Sequence, residues 1–291
     1  MTRRLTNGRT ARQLCPGKHF STTMKRREFL KSSVAATGTA ALASTLKLSA
    51  AEPAEGAGRE FYELRLYHLR RGPRQKLFDD FCRNAAIPAL NRAGVAPVGV
   101  FSVATGPDSP TMYVLRPFKS LEGFAMVEER LAADAEYQKA GAEFLGAPAT
   151  DPAFVRVESM FLRAIAGVPR LEAPSGAYNT GSRVFELRTY ESHSKRANLK
   201  KIEMFNVGEL AIFRRAGLQP VFFGETLIGP KLPNLTYMLV YEDMAARDKH
   251  WGAFGADPEW KKLSSTPGYT DPEIVSNISN LYLRPTPYSQ I

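Results

Sequence analysis

Phe61-Tyr62-Glu63-Leu64-Arg65-Leu66-Tyr67 returns as Val184-Phe185-Glu186-Leu187-Arg188-Thr189-Tyr190, and Glu63 and Glu186 stand 123 residues apart. The same offset, without a gap, pairs Arg92-Ala93-Gly94 with Arg215-Ala216-Gly217, Pro97 with Pro220, and Gly106-Pro107 with Gly229-Pro230. It continues through Ala133-Asp134 and Ala256-Asp257, Glu136 and Glu259, and Tyr137 and Trp260. A register kept this constant identifies a duplication, so the chain is two tandem copies of one small module.

Each copy reads in one order. A β-rich alternating strand over 60–67 is followed by a helix over 73–92, with apolar residues at Leu77, Phe81, Ile87 and Leu90 and a capping glycine at Gly94. Strands over 97–104 and 111–117 flank the Gly106-Pro107-Asp108 turn. Ser120 caps a second helix, and a strand over 154–164 closes the unit. The second copy predicts strands at 183–190, 219–227, 235–241 and 273–284, with helices at 196–215 and after Asp243. The fold class is therefore α+β, two tandem ferredoxin-like βαββαβ units. The expected domains are 60–165 and 183–285, joined by a linker over 166–182 that carries Pro169, Pro174, Gly176 and Asn179.

With these motifs the chain resembles the NIPSNAP family. The carriers are the Glu-Leu-Arg-x-Tyr that opens each copy and the block Ala256-Asp257-Pro258-Glu259-Trp260, with its weaker echo Ala133-Asp134-Ala135-Glu136-Tyr137. The resemblance runs from residue 60 to the C-terminus and is better in the second copy, since Ala135 and Tyr137 stand where the family has Pro and Trp. It implies the dimeric α+β barrel group, in which two ferredoxin-like sheets enclose a central cavity. Cofactor-free monooxygenases, isomerases and haem proteins share that group, so the fold implies a cavity and no particular chemistry.

Alternation along the opening strand sends successive side chains to opposite faces. Tyr62, Leu64 and Leu66, with Phe185 and Leu187, form an apolar face expected to pack on the helices. Glu63, Arg65 and Tyr67, with Glu186, Arg188 and Tyr190, are then expected to line the cavity between the sheets. Three roles fit these six residues. They form a paired polar layer, since an unpaired buried charge costs several kcal/mol; they bind an anionic ligand through Arg and Tyr; or a glutamate serves acid-base catalysis. The Asp-Pro-Glu-Trp block reads as a helix start, with Asp257 as cap, Pro258 in the first turn and Trp260 as an anchor.

No metal site or cofactor is expected. His68, His193 and His250 align with Glu191, Arg70 and Val127 in the other copy, and no spacing among them suits a metal. His250 is the one candidate for an axial haem ligand. Cys82, beside Phe78 and Phe81, reads as a small buried hydrophobe. P-loop, dinucleotide-binding and nucleophile-elbow patterns are absent from the sequence.

The formal charge of +10 is misleading about partners. Residues 1–51 hold ten of the 39 Lys and Arg but only Glu28 among the 29 acids, so the remainder is close to neutral and nucleic acid is not an expected partner. The stretch Met24-Lys25-Arg26-Arg27-Glu28-Phe29-Leu30-Lys31 resembles the twin-arginine export motif, and Ser49 and Ala51 give a small-residue exit. The expectation is a signal peptide over 1–51, with 1–23 an upstream extension if Met24 is the true start, and a periplasmic or otherwise exported product. Thr37, Gly38, Thr39, Ser44 and Thr45 interrupt its apolar run, so no stable membrane anchor is expected.

The function favoured by the sequence is an exported protein that binds a small, partly apolar molecule between its two sheets. A cofactor-independent monooxygenase or isomerase is the alternative, and a structural interaction module a third reading. Constant register and the linker predict that the two copies pair within the chain, with a homodimer left open.

Overall fold

The computed structural model describes residues 58–105, 110–176 and 181–291. The leader, with Arg26 and Arg27, lies outside the described residues. β1 (Phe61–His68), β2 (Gly99–Thr105), β3 (Thr111–Phe118) and β4 (Arg156–Ala164) come from the first repeat. β5 (Val184–Glu191), β6 (Gln219–Ile228), β7 (Asn234–Tyr241) and β8 (Asn277–Pro285) come from the second. Each repeat orders its strands as a ferredoxin-like sheet, β4-β1-β3-β2 and β8-β5-β7-β6. Antiparallel pairing of β2 with β8 and of β4 with β6 joins the sheets into a closed eight-stranded barrel within one chain. Closure leaves neither sheet with a free edge.

The helices flank the outside of this barrel. α1 (Pro73–Phe81) passes through a π-helical turn at Cys82–Ala86 into α2 (Ile87–Arg92). The second repeat reproduces this as α6 (Lys195–Met204), the π-turn Phe205–Glu209 and α7 (Leu210–Arg215). Gly94 and Gly217 end the two arms at φ 85°, in the left-handed region that glycine tolerates. A Cβ on Gly217 would also sit 2.1 Å from His250 Nδ1.

α3 (Leu121–Ala133) begins at Ser120, whose hydroxyl accepts from Gly123 N, and α4 (Ala135–Ala140) begins at Asp134. α5 (Ala142–Leu145) completes the first repeat's helices. α8 (Met244–Ala256) begins at Asp243, and α9 (Pro258–Ser264) at Asp257, which accepts from Glu259 N and Trp260 N. The Asp-Pro-Glu-Trp block is thus the helix start its sequence predicts. Two of the duplicated motifs also meet in space: Arg92 donates to Asp134 at 2.7 Å, and Arg215 to Asp257 at 2.9 Å. The last strand starts later than its residue pattern predicts, because Thr270 and Glu273 form a capping box that winds α10 (Asp271–Ile274).

Among the described residues three large apolar clusters hold the molecule, one between sheet and helices in each repeat and one inside the barrel, and a small fourth gathers Ala197, Met204 and Ile274. The interior cluster joins Tyr62, Leu64 and Phe101 of the first repeat to Phe185, Leu187 and Phe222 of the second. Burying each such side chain stabilises by about 1.5 to 3 kcal/mol, so the interface between repeats is itself a core. One end is closed by Ile291 and by Leu171 of the inter-repeat segment. There the tail bonds β2 and the loop before it, with Val100 N donating to Ser289 Oγ at 2.9 Å and Gln290 N to Val98 O at 3.0 Å.

The faces of the opening strands are the reverse of the expectation. Tyr62, Leu64, Leu66, Phe185 and Leu187 point into the barrel, and Glu63, Arg65, Tyr67, Glu186, Arg188 and Tyr190 point under the helices. Alternation fixes which residues share a face, but not which layer that face meets. The closed interior, remote from water along most of its length, takes the uncharged face. The polar face lies where helix side chains neutralise it and where part of it reaches solvent.

Candidate functional site

Under the first repeat's helices, Glu63 is the hub. Its Oε2 accepts from Arg116 Nε at 2.6 Å, and its Oε1 from Arg65 Nε at 2.9 Å and Ser159 Oγ at 2.6 Å. Arg65 and Arg116 both reach on to Glu128 of α3, at 2.8 and 3.2 Å. Burial opposes ionisation of Glu63, but the Arg116 and Arg65 guanidinium groups outweigh it and hold the carboxyl below its usual range. Tyr67 packs on Phe78 with ring centroids 5.1 Å apart, and burial raises its phenol against the pull of Arg65.

The second repeat builds a denser version. Glu186 Oε1 accepts from Arg188 Nη1 at 2.8 Å and Arg247 Nη2 at 3.0 Å. Its Oε2 accepts from Trp251 Nε1 at 2.9 Å and the Tyr241 hydroxyl at 3.0 Å. Burial again opposes ionisation, and the hydrogen bond from Arg247 with the charge of Arg188 overcomes it, so Glu186 is held low. Arg188 lies 4.5 Å over the Trp251 ring and donates to the Tyr190 hydroxyl at 3.1 Å. All six residues singled out in the sequence therefore come together as two clusters, one per repeat, and neither cluster lines the cavity between the sheets.

That cavity exists, with other walls. The barrel end opposite Ile291 opens into a space of about 480 Å³ whose lining includes Leu64, Leu66, Leu187, Met160 and Leu281. Its mouth is polar, with Thr189, Ser279, Lys231 and Glu158. Lys231 Nζ donates to Ser279 Oγ at 2.8 Å, Thr189 bonds Thr236 at 2.9 Å, and Glu158 Oε1 accepts from Arg156 Nε at 2.6 Å. Reading the faces alone could not find these residues. A signal was present in the strand ends, because the alternate positions Leu187 and Thr189 step from apolar to polar along a single face.

His250 is tied to the backbone at the end of α7. Its Nδ1 bonds Ala216 O at 2.9 Å, holding α8 against the end of α7. Among the described residues no group of three or more His, Cys, Asp or Glu is placed to hold a metal ion, and no helix is long and apolar enough to cross a membrane. Cys82 is buried, and burial pushes its thiol well up.

The NIPSNAP family model matches residues 62–166 and again 185–290. The chain belongs to the NIPSNAP family. No curated protein matches the sequence. Among solved structures, a proposed monooxygenase from Lactobacillus acidophilus NCFM is 12% identical, with a TM-score of 0.53, covering 78% of this chain and 94% of its own. A proposed monooxygenase from Fusobacterium nucleatum is 7% identical, with a TM-score of 0.52, covering 79% and 93%. A NIPSNAP-like domain protein from Burkholderia xenovorans is 22% identical and covers 38% of this chain and 90% of its own, with a TM-score of 0.34. The first two are similar in fold to this NIPSNAP protein over most of its length, and its own two repeats close the eight-stranded barrel between them.

Proposed function

We propose that this NIPSNAP protein is exported and binds a small, partly apolar molecule in the open end of its barrel. One observation carries the reading: the interior is graded, from aromatic at the closed end through Leu64, Leu187 and Met160 to Thr189, Ser279 and Lys231 at the mouth. A space of about 480 Å³ falls in the range of ligand pockets, about 300 to 1,000 Å³. The gradient matches a molecule whose apolar body enters first and whose polar end stays with Lys231 and Ser279. Arg26-Arg27 and the small-residue exit support delivery to the cell envelope. A thermal-shift screen of amphiphilic small molecules tests the binding, with stabilisation expected in the wild type and none in a Leu66→Trp variant.

A cofactor-independent monooxygenase or isomerase is the second reading. Its support is the barrel shared with two proposed monooxygenases at TM-scores of 0.53 and 0.52. Oxygen uptake or product formation from a panel of phenols and quinols would establish it over binding alone.

A further inference from the structure

The hairpin between β6 and β7, at the open end of the barrel, holds a backbone conformation that its residue type disfavours. Lys231 has φ 61°, the one non-glycine residue with positive φ among the described residues. Such a conformation persists where the surrounding structure imposes it. Here Asn234 does so: its Nδ2 donates to Pro230 O at 3.1 Å and Lys231 O at 3.0 Å, while its Oδ1 accepts from Thr226 Oγ1 at 2.6 Å and Thr236 Oγ1 at 3.0 Å. Asn234, Thr226 and Thr236 are all buried, so the turn is clamped from the core beneath it.

The clamped turn brings Lys231 to the lining of the barrel mouth, where its Nζ donates to Ser279 Oγ at 2.8 Å. Among the described residues that is its only hydrogen bond, and an ammonium has three donors. Glu191 stands 3.8 Å away, beyond hydrogen-bond distance, and accepts from Asn277 Nδ2 at 2.8 Å. Glu158, also on the lining, accepts from Arg156 Nε at 2.6 Å and lies 3.2 Å from His68 Nε2. Both carboxylates thus have other partners, and the mouth offers a guest one ammonium with two donors to spare.

The walls set the rest of the guest. Ser279 pairs with Thr189 and Leu281 with Leu187 across β8 and β5, so that side of the lining steps from polar at the rim to apolar inside. At the duplication offset Thr189 answers to Leu66 and Lys231 to Asp108, so the polar, cationic side of the mouth belongs to the second repeat. The space of about 480 Å³ is roughly three times the 150 Å³ or so that holds benzene, enough for a body of roughly ten to fifteen heavy atoms. A doubly charged headgroup would meet Glu158 and Glu191, so the site suits a single negative charge.

We propose that the guest of the barrel mouth is a monocarboxylic acid, its carboxylate accepting from Lys231 Nζ and the Ser279 hydroxyl and its apolar body lying among Leu64, Leu187, Met160 and Leu281. The assignment rests on the binding reading above and adds the headgroup. Asn234 is the positioning residue: it touches no guest, and it holds the turn that presents Lys231.

Octanoate and octanamide, equal in shape and different in charge, are the probes, titrated calorimetrically into the full chain at neutral pH. Octanoate should bind at least about tenfold more tightly, a difference of about 1.4 kcal/mol, and Leu66→Trp should remove both. Lys231→Asn, with a residue that tolerates the left-handed backbone, should bring octanoate down to the affinity of octanamide. Asn234→Ala should lower the acid-to-amide affinity ratio, which a mere loss of stability would leave as it is. Equal affinities in the wild type, with both ligands lost in Leu66→Trp, would overturn the carboxylate assignment and leave the barrel mouth as the binding site. Binding of neither ligand, or binding undiminished in Leu66→Trp, would overturn both. A wild-type ratio in Lys231→Asn would also overturn the assignment, and that exposed substitution decides the matter even if Asn234→Ala does not fold.

Discussion

Arg116 on β3 donates to Glu63 on β1 through Nε at 2.6 Å, directly across the strand pair, whereas the matching position in the second repeat is Leu239 and Glu186 takes its extra donors from Arg247 and Trp251 of α8. The same carboxylate is therefore held by its own sheet alone in one repeat and by sheet and helix together in the other.

Removing a guanidinium should cost unequally. Arg116→Met leaves Glu63 buried with fewer charge partners, and a loss of about 3 to 5 kcal/mol is expected. Arg188→Met leaves Glu186 with Arg247, Trp251 and Tyr241, so about 1.5 to 3 kcal/mol is expected, the range for one hydrogen bond to a charged group. Denaturant midpoints at neutral pH measure both, and equal losses would contradict the difference in support.

Glu63 and Glu186 are both held below the ordinary value of 4.5 in the folded protein. A carboxyl with a lowered folded value binds its proton more readily when unfolded, so its stabilisation is full above about pH 4.5 and disappears as pH falls through the folded value. Stability should decline on acidification below pH 4.5, and Glu63→Gln should flatten that decline. An unchanged acid slope in the variant would count against a role for Glu63.

A lone first repeat should not persist as a folded monomer. Residues 60–166 would expose the edges of β2 and β4, which pair with β8 and β6, along with the interior side chains Tyr62, Leu64 and Phe101. A homodimer or an aggregate is expected by size-exclusion chromatography with light scattering. A stable monomer would contradict the shared barrel as the source of stability.

Export should depend on the arginine pair. With Arg26 and Arg27 replaced by Lys, unprocessed precursor should accumulate in the cytoplasm, as read by fractionation and immunoblotting. Undiminished processed protein in the periplasm would refute the twin-arginine route.

The duplication was legible because its offset is carried by the sequence itself, and the barrel was implied by the family resemblance of the repeated Glu-Leu-Arg-x-Tyr and Ala-Asp-Pro-Glu-Trp motifs. Helix starts at Ser120, Asp243 and Asp257 were legible because each capping side chain acts on a backbone N–H two or three residues away. The direction of the strand faces was not. Glu63 and Arg65 are neutralised by Arg116 and Glu128, which lie 53 and 63 residues onward, and nothing local reports such partners. The barrel mouth is illegible in the sequence for a related reason, because Leu66, Lys231 and Ser279 converge only once both repeats have closed on each other.

The central claim is that the open barrel end takes a partly apolar guest with its polar end at Lys231. Fluorescence titration of the purified protein with anilinonaphthalene sulfonate, which joins an aromatic body to an anion, addresses it directly. Saturable binding is expected in the wild type, with Tm raised by roughly 5 to 10 °C at about 100 times Kd, corresponding to about 2.7 kcal/mol. Leu66→Trp should abolish binding and Lys231→Ala should weaken it while both variants keep their fold. Equal affinity in wild type and Leu66→Trp would place the guest elsewhere and contradict the account.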